Sequence, residues 1–119
     1  MRYCDGFKKG IMDFLYLRIL AEGDCYGYQI SQILKKVTNG VIEVTNGAMY
    51  TSLDRLVSKG YITDYKRAVG DTPPRIYYHI EDAGREVLGY MLEGYDEFEK
   101  AVHMVLDYVP HEVSQEDVV

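Results

Sequence analysis

The sequence predicts a mainly α fold that carries one β-hairpin and ends in a single long helix. Apolar residues recur at helical spacing in three short segments between Gly10 and Ser58. They alternate with period two between Tyr61 and Ile80, then return to helical spacing from Glu81 to about Val109. Three helices followed by a hairpin is the order of a winged helix-turn-helix. The expected division is a winged helix-turn-helix domain over residues 1–80, a C-terminal dimerisation helix over 81–109 and a disordered tail over 110–119.

The first segment, Gly10 to about Glu22, places Ile11, Phe14, Leu15 and Ile19 on one face and Tyr16, Leu17 and Leu20 on another. A helix that is apolar on most sides needs partners on most sides, so it is expected to reach a second subunit as well as its own domain. In the second segment, Asp24 to Val37, Ile30, Ile33, Leu34 and Val37 follow the amphipathic template. Asp24 is expected to cap its start, and Asn39-Gly40 to end it with residues that tolerate positive φ. A short β-branched stretch, Val41 to Thr45, leads to the third helix, Asn46 to Ser58, with Thr45 as N-cap and a stripe of Met49, Leu53 and Leu56.

Tyr61 to Lys66 and Arg75 to Ile80 read as the two hairpin strands, joined by the Gly/Asp/Pro tip RAVGDTPP. In the second strand Ile76, Tyr78 and Ile80 are expected to face one way, and Arg75, Tyr77 and His79 the other. In the last segment Leu88, Met91, Tyr95, Phe98, Val102, Val105 and Val109 are spaced alternately by three and four, a heptad seam. At 1.5 Å per residue this helix would run roughly 40 Å, more than a three-helix domain can cover. A second copy of the same helix is the economical partner. Gly89 and Gly94 cost it about 1 kcal/mol each relative to alanine, so it depends on packing.

Composition narrows the function. With 119 residues and 47% apolar content the chain has room for one globular domain. No apolar run approaches the roughly 20 residues of a membrane span. MRYCDGFKKG is not followed by an apolar, cleavable stretch, so a cytoplasmic location is expected. The net charge is −6, but it is unevenly placed: residues 1–80 carry 11 Lys+Arg against 8 Asp+Glu, and residues 81–119 carry 2 against 11. DNA responds to the local field, so the total does not exclude it. Cys4 and Cys25 form no CxxC pair and have no histidine at ligand spacing; they read as reduced thiols, with redox sensing at Cys4 the alternative. His79, His103 and His111 are scattered, and no nucleophile, phosphate or metal motif is present, so no catalytic activity, cofactor or metal is expected.

The third helix presents Asn46, Gly47, Ala48, Thr51 and Ser52 at its start, small and hydroxyl side chains that let a helix approach the major groove. Tyr50 can reach a phosphate oxygen, and Arg55 can pair with phosphate or guanine. Lys66, Arg67 and Arg75 flank the hairpin tip, as a wing over the DNA backbone requires. The candidate DNA-binding residues are thus Asn46, Ala48, Tyr50, Thr51, Ser52, Arg55, Lys66, Arg67 and Arg75, with Lys36 from the last turn of the second helix. The alternative for Tyr50 is a half-buried core aromatic, and for Arg55 a surface ion pair with a neighbour such as Asp54.

Several stretches resemble the PadR family of transcriptional regulators. They are Tyr26-Gly27-Tyr28-Gln29-Ile30, then Gly47-Ala48-Met49-Tyr50 with Leu53, Arg55 and Leu56, then Gly60-Tyr61-Ile62, and last Arg75-Ile76-Tyr77-Tyr78 with Ile80 and Gly84. The resemblance runs from about Ile11 to Leu88. It implies a dimer built by the first and last helices, with Ile11, Phe14, Leu15, Leu88, Met91, Tyr95, Phe98, Val102, Val105 and Val109 as candidate interface residues. It also implies a repressor released by a small aromatic or hydrophobic effector, and the dimer geometry predicts a pseudo-palindromic operator. Where some small members stack planar drugs between tryptophans, this chain has no Trp; Phe14, Tyr16, Tyr90, Tyr95 and Phe98 are the candidate substitutes, or else they simply fill the interface. The chain departs from the family pattern at Thr51, where proline is common, and at Glu81, where threonine is common, leaving Asp82 to cap the last helix. Asp71 at the wing tip would repel a phosphate. A winged-helix protein-interaction module without DNA binding is the competing reading, and Asp54, Asp64 and Asp71 are the residues that favour it.

Overall fold

The computed structural model describes residues 10–110; the expected tail beyond Pro110 and Cys4 lie outside the described residues. The order of elements is α1 (Met12–Glu22), β1 (Cys25–Tyr26), α2 (Gly27–Val37), α3 (Asn46–Ser58), β2 (Ile62–Arg67), β3 (Arg75–Ile80) and α4 (Asp82–Leu106). The strands form one antiparallel sheet in the order β1-β3-β2. Three helices, a hairpin wing and a long closing helix make this a winged helix.

The expected N-cap holds at α3 and fails at α2. Thr45 Oγ1 accepts from the Ala48 N–H at 3.2 Å, satisfying one of the donors a helix start leaves open. Asn39 and Gly40 take φ of 52° and 81° and end α2 as the sequence suggests. Asp24, however, caps nothing. The two residues after it pair with β3 in the register Cys25↔Tyr78 and Tyr26↔Tyr77, a strand too short to show a period. The helix therefore starts at Gly27, and the Tyr26 N–H is taken by Gln29 Oε1 at 3.1 Å.

The core is one cluster centred on Tyr16, Leu17, Leu20, Ile30, Met49, Leu53, Leu56 and Ile62, all fully buried. Helix α1 packs on α4, α3, β3 and α2, so its apolar circumference is largely used within its own domain. Ile42 and Val44 anchor the irregular segment before α3 against the same cluster. Gly84 lets the first turn of α4 approach closely: a Cβ there would overlap the Tyr61 carbonyl oxygen and lie 2.9 Å from Ile80 Cγ1.

Strand β3 departs from simple alternation. Tyr78 and Ile80 are buried as expected, but Ile76 is 47% exposed because the hairpin has left the domain by that point. Tyr77, expected on the outer face, is buried too. Being on the central strand, it has Tyr26 opposite on one side and Tyr65 on the other, with ring centroids at 5.4 Å and 5.7 Å. Its cover comes from neighbouring strands, which no single-strand pattern records.

At the start of α4, Glu81 is the N-cap residue by position, and no side chain caps the helix; Asp82 lies inside the first turn. The Glu81 carboxylate accepts instead from Thr63 Oγ1 at 2.8 Å. The helix spans 25 residues, of which only Gly84 and Leu88 are buried. Leu88, expected in a dimer seam, is 7% exposed in the core of its own domain. Beyond Met91 the rest of the helix is exposed, and it extends the molecule to 69 × 33 × 21 Å. No helix among the described residues is long and apolar enough to cross a membrane.

Candidate nucleic-acid interface

Two grooves gather five of the ten candidate residues: Ala48, Ser52 and Arg55 in one, Tyr50 and Arg75 in the other. One, about 390 Å³, runs between α1 and the start of α3 and is lined by Asp13, Tyr16, Glu43, Thr45, Ala48, Ser52 and Arg55, among others. The other, about 460 Å³, is lined by Tyr26, Gly27, Tyr28, Tyr50, Arg75 and Ile76, joining α3 to the start of α2 and the base of the wing. Asn46 and Thr51 stand exposed on α3, with Thr51 Oγ1 donating to the Gly47 carbonyl at 2.9 Å. Lys36 is not brought to either groove; it lines a separate depression with Gln32, Lys35, Asn39 and Gly40.

Arg55 is half-exposed and ion-paired, but not with Asp54. Its Nη2 lies 2.8 Å from Asp13 Oδ1 on α1, and the same nitrogen reaches Ser52 Oγ at 3.4 Å. Asp13 lies 42 residues away in sequence, so nothing local announces the pair. Tyr50 is 40% exposed, its ring packed against Gly27. One edge of this side chain is packed and the rest is open.

The wing arginines sit on aromatic rings. Arg67 and Arg75 are directly paired across β2 and β3, an arrangement that places like charges together. Each guanidinium instead lies over a ring, Arg67 over Tyr77 at 5.4 Å and Arg75 over Tyr26 at 4.5 Å. Cation–π attraction offsets the repulsion and fixes both charges on the wing. Lys66 is exposed beside them. Tyr26, Tyr28 and Asp13 also belong to this surface; the tyrosines stand in the family-like stretch 26–30 but are not among the residues expected to touch DNA. For the tyrosines the flanking of Gly27 by two aromatics was the available signal.

Below the wing, Asp24 accepts hydrogen bonds from the Tyr65 hydroxyl at 2.6 Å and from His79 Nδ1 at 2.7 Å. A carboxylate only accepts, so Nδ1 of His79 is a donor in this pair. Burial opposes ionisation of Asp24, but these hydrogen bonds and the charges of His79 and Arg67 outweigh it and lower its pKa. Burial, with the charges of Asp54, Tyr50 and Asp64, pushes the Tyr78 hydroxyl up to about 12. Burial also raises the Cys25 thiol, which donates to the Gly23 carbonyl, so Cys25 has no thiolate character. Among the described residues no group of His, Cys, Asp and Glu could hold a metal ion.

A model of the PadR-like family of transcriptional regulators matches residues 16–90, the winged helix and the root of α4. The chain belongs to this family. It is a transcriptional regulator of PadR type, not an enzyme. The fold agrees with solved relatives. A transcriptional regulator from Clostridium thermocellum is 28% identical with a TM-score of 0.77, over 83% of this chain and 96% of that one. A PadR-family regulator from Eggerthella lenta is 25% identical with a TM-score of 0.78, over 87% and 88%. PadR of Bacillus subtilis, solved in complex with operator DNA, is 23% identical with a TM-score of 0.63, over 70% of this chain and 47% of that one, a likeness of fold.

A further groove, about 590 Å³, lies between α1 and α4 and is lined by Ile11, Phe14, Met91, Tyr95, Phe98, Glu99 and Val102. Phe14 and Tyr95 meet there at 5.4 Å. Of the candidate effector residues, Phe14, Tyr95 and Phe98 are brought together. Tyr16 is not: at 1% exposure it is a core residue, on the opposite side of α1. Tyr90 points elsewhere on α4, its hydroxyl 3.5 Å from Glu86.

Proposed function

We propose that this PadR-type regulator acts in the bacterial cytoplasm as a homodimeric repressor that binds a pseudo-palindromic operator and is released by a small aromatic or hydrophobic effector. The observation that carries the DNA reading is the groove in which Tyr50 of α3 and Arg75 of the wing meet the start of α2. Recognition helix and wing thus share one continuous surface, as a protein that enters the major groove and rests on the flanking backbone needs. Asn46, Ala48 and Thr51 would face the bases, while Arg67, Arg75 and Lys66 would lie along the phosphates. The complex of Bacillus subtilis PadR with operator DNA is a precedent within the family.

The dimer reading rests on α4. Phe98 is 60% exposed, and Tyr95, Val102 and Val105 continue the same apolar stripe. A free stripe of this length on a projecting helix calls for a partner, and a second copy offers the same stripe in return. The α1–α4 groove would then open at the dimer interface, with Phe14, Tyr95 and Phe98 as aromatic walls for an effector. Selection of bound duplexes from a random library tests the reading. Enrichment of a two-fold symmetric site with half-sites about one helical turn apart is expected. Failure to enrich any sequence would instead favour a protein partner for the α3 surface.

A further inference from the structure

Gly27 opens α2 and is buried, yet its backbone is ordinary right-handed helix, in which glycine is a poor choice relative to alanine. Conformation therefore does not explain it. The neighbouring ring does. A Cβ at position 27 would lie 2.7 Å from Tyr50 Cζ and 2.8 Å from Cε1, and closer still to the hydroxyl oxygen. These are the distal atoms of the Tyr50 ring, so a methyl group at position 27 must displace the ring. Only a residue without a side chain leaves room for the Tyr50 ring against the first turn of α2.

The placement has a consequence for the surface described above. Tyr50 lines the groove shared with Tyr28, Arg75 and Ile76, and among the described residues no protein group hydrogen-bonds its hydroxyl. An exposed tyrosine on a helix would normally sample several rotamers. Here the slot left by Gly27 holds the ring, so its hydroxyl is fixed between the start of α2 and the wing cation Arg75.

On the reading that this surface binds DNA, we infer that Gly27 is a positioning residue. It makes no contact with DNA itself, and it sets Tyr50 so that the phenolic hydroxyl donates to a backbone phosphate of the operator. Adding a methyl group at position 27 swings the ring out and removes that hydrogen bond, although no base-contacting or charged residue has changed.

The test combines a double-mutant cycle with a direct view of the ring. Operator affinity is measured by fluorescence anisotropy for the parent, Gly27→Ala, Tyr50→Ala and the double variant, each corrected for folded fraction by circular dichroism. Gly27→Ala and Tyr50→Ala are each expected to weaken binding roughly tenfold, and the double variant to bind within about twofold of Tyr50→Ala alone. Losses that multiply, or a Gly27→Ala protein that binds like the parent, would overturn the inference. In parallel, 3-fluorotyrosine placed at position 50 reports the ring by fluorine NMR. Its resonance should move on substituting Gly27 in the free protein, and should respond to DNA only when Gly27 is present. If the parent binds no duplex, the DNA reading fails; the free-protein spectrum still decides whether Gly27 sets the ring, and an unmoved resonance would refute it.

Discussion

Asp24 and His79 meet at 2.7 Å, tying the end of the α1–β1 connection to the central strand of the wing. Tyr65 of the outer strand reaches the other oxygen of the same carboxylate at 2.6 Å. One acidic side chain thus holds both strands of the hairpin to the helical body. Its ionised form is the one that accepts these bonds, which is why its pKa falls despite partial burial. The sign follows. A carboxylate with a lowered pKa contributes stability above its ordinary value near 3.8, and the contribution is lost as pH falls through the lowered value. Asp24→Asn should cost about 1 kcal/mol at neutral pH, a figure kept small because the group is partly solvated. The difference from the parent should close at pH values well below 3.8 in urea unfolding. A constant difference across that range would show that Asp24 acts through packing alone.

Arg55 and Asp13 offer a second test, on binding instead of stability. The pair is partly exposed, so breaking it should cost no more than about 1 kcal/mol of fold stability. Asp13→Asn should free the guanidinium for DNA and tighten operator binding by roughly threefold, whereas Arg55→Ala should weaken it. An anisotropy titration of both variants distinguishes this from a purely structural pair, for which Asp13→Asn would leave affinity unchanged.

Two glycines of α4 should respond to alanine with opposite signs. At Gly84 a Cβ meets the Tyr61 carbonyl and Ile80, so Gly84→Ala should destabilise by about 2 kcal/mol through displacement of the helix from the sheet. At Gly89 nothing lies within 4 Å, and Gly89→Ala should stabilise by roughly 0.5–1 kcal/mol. Thermal melts of the two variants at one protein concentration check both.

Phe98, at the centre of the exposed α4 stripe, is the sharpest probe of self-association. Phe98→Glu should convert a dimer to a monomer in sedimentation velocity, because it buries a charge against its own symmetry mate. A parent that already sediments as a monomer at tens of micromolar would remove the case for α4 as an interface.

Much of the fold was legible because its elements are long enough to show a period. α3 and β3 fall where the spacing put them, and α4 was found from its heptads. The errors lie where sequence-distant partners decide. Cys25–Tyr26 became a strand because Tyr77 and Tyr78 lie beside it, and that drew Asp24 away from α2 to His79. Leu88 fits the seam by spacing, but the root of α4 packs on its own domain and buries it there. Of the candidate cations, Arg55 and Arg75 line the two grooves of the proposed surface, whereas Lys36 lies apart from them. The pairing of Arg55 with Asp13 and the fit of Tyr50 against Gly27 were not legible in the sequence, since both join elements that only the tertiary fold brings together.

The most direct measurement is a fluorescence-anisotropy titration against an enriched operator duplex and a scrambled one, each at low and moderate salt, with Lys66→Ala alongside. Tight binding to the operator, weaker binding to the scrambled duplex, a steep loss with salt and a slope reduced by about one in Lys66→Ala are the expected results. Equal binding to both duplexes, or an affinity indifferent to salt, would contradict a sequence-specific regulator that reads DNA through α3 and the wing.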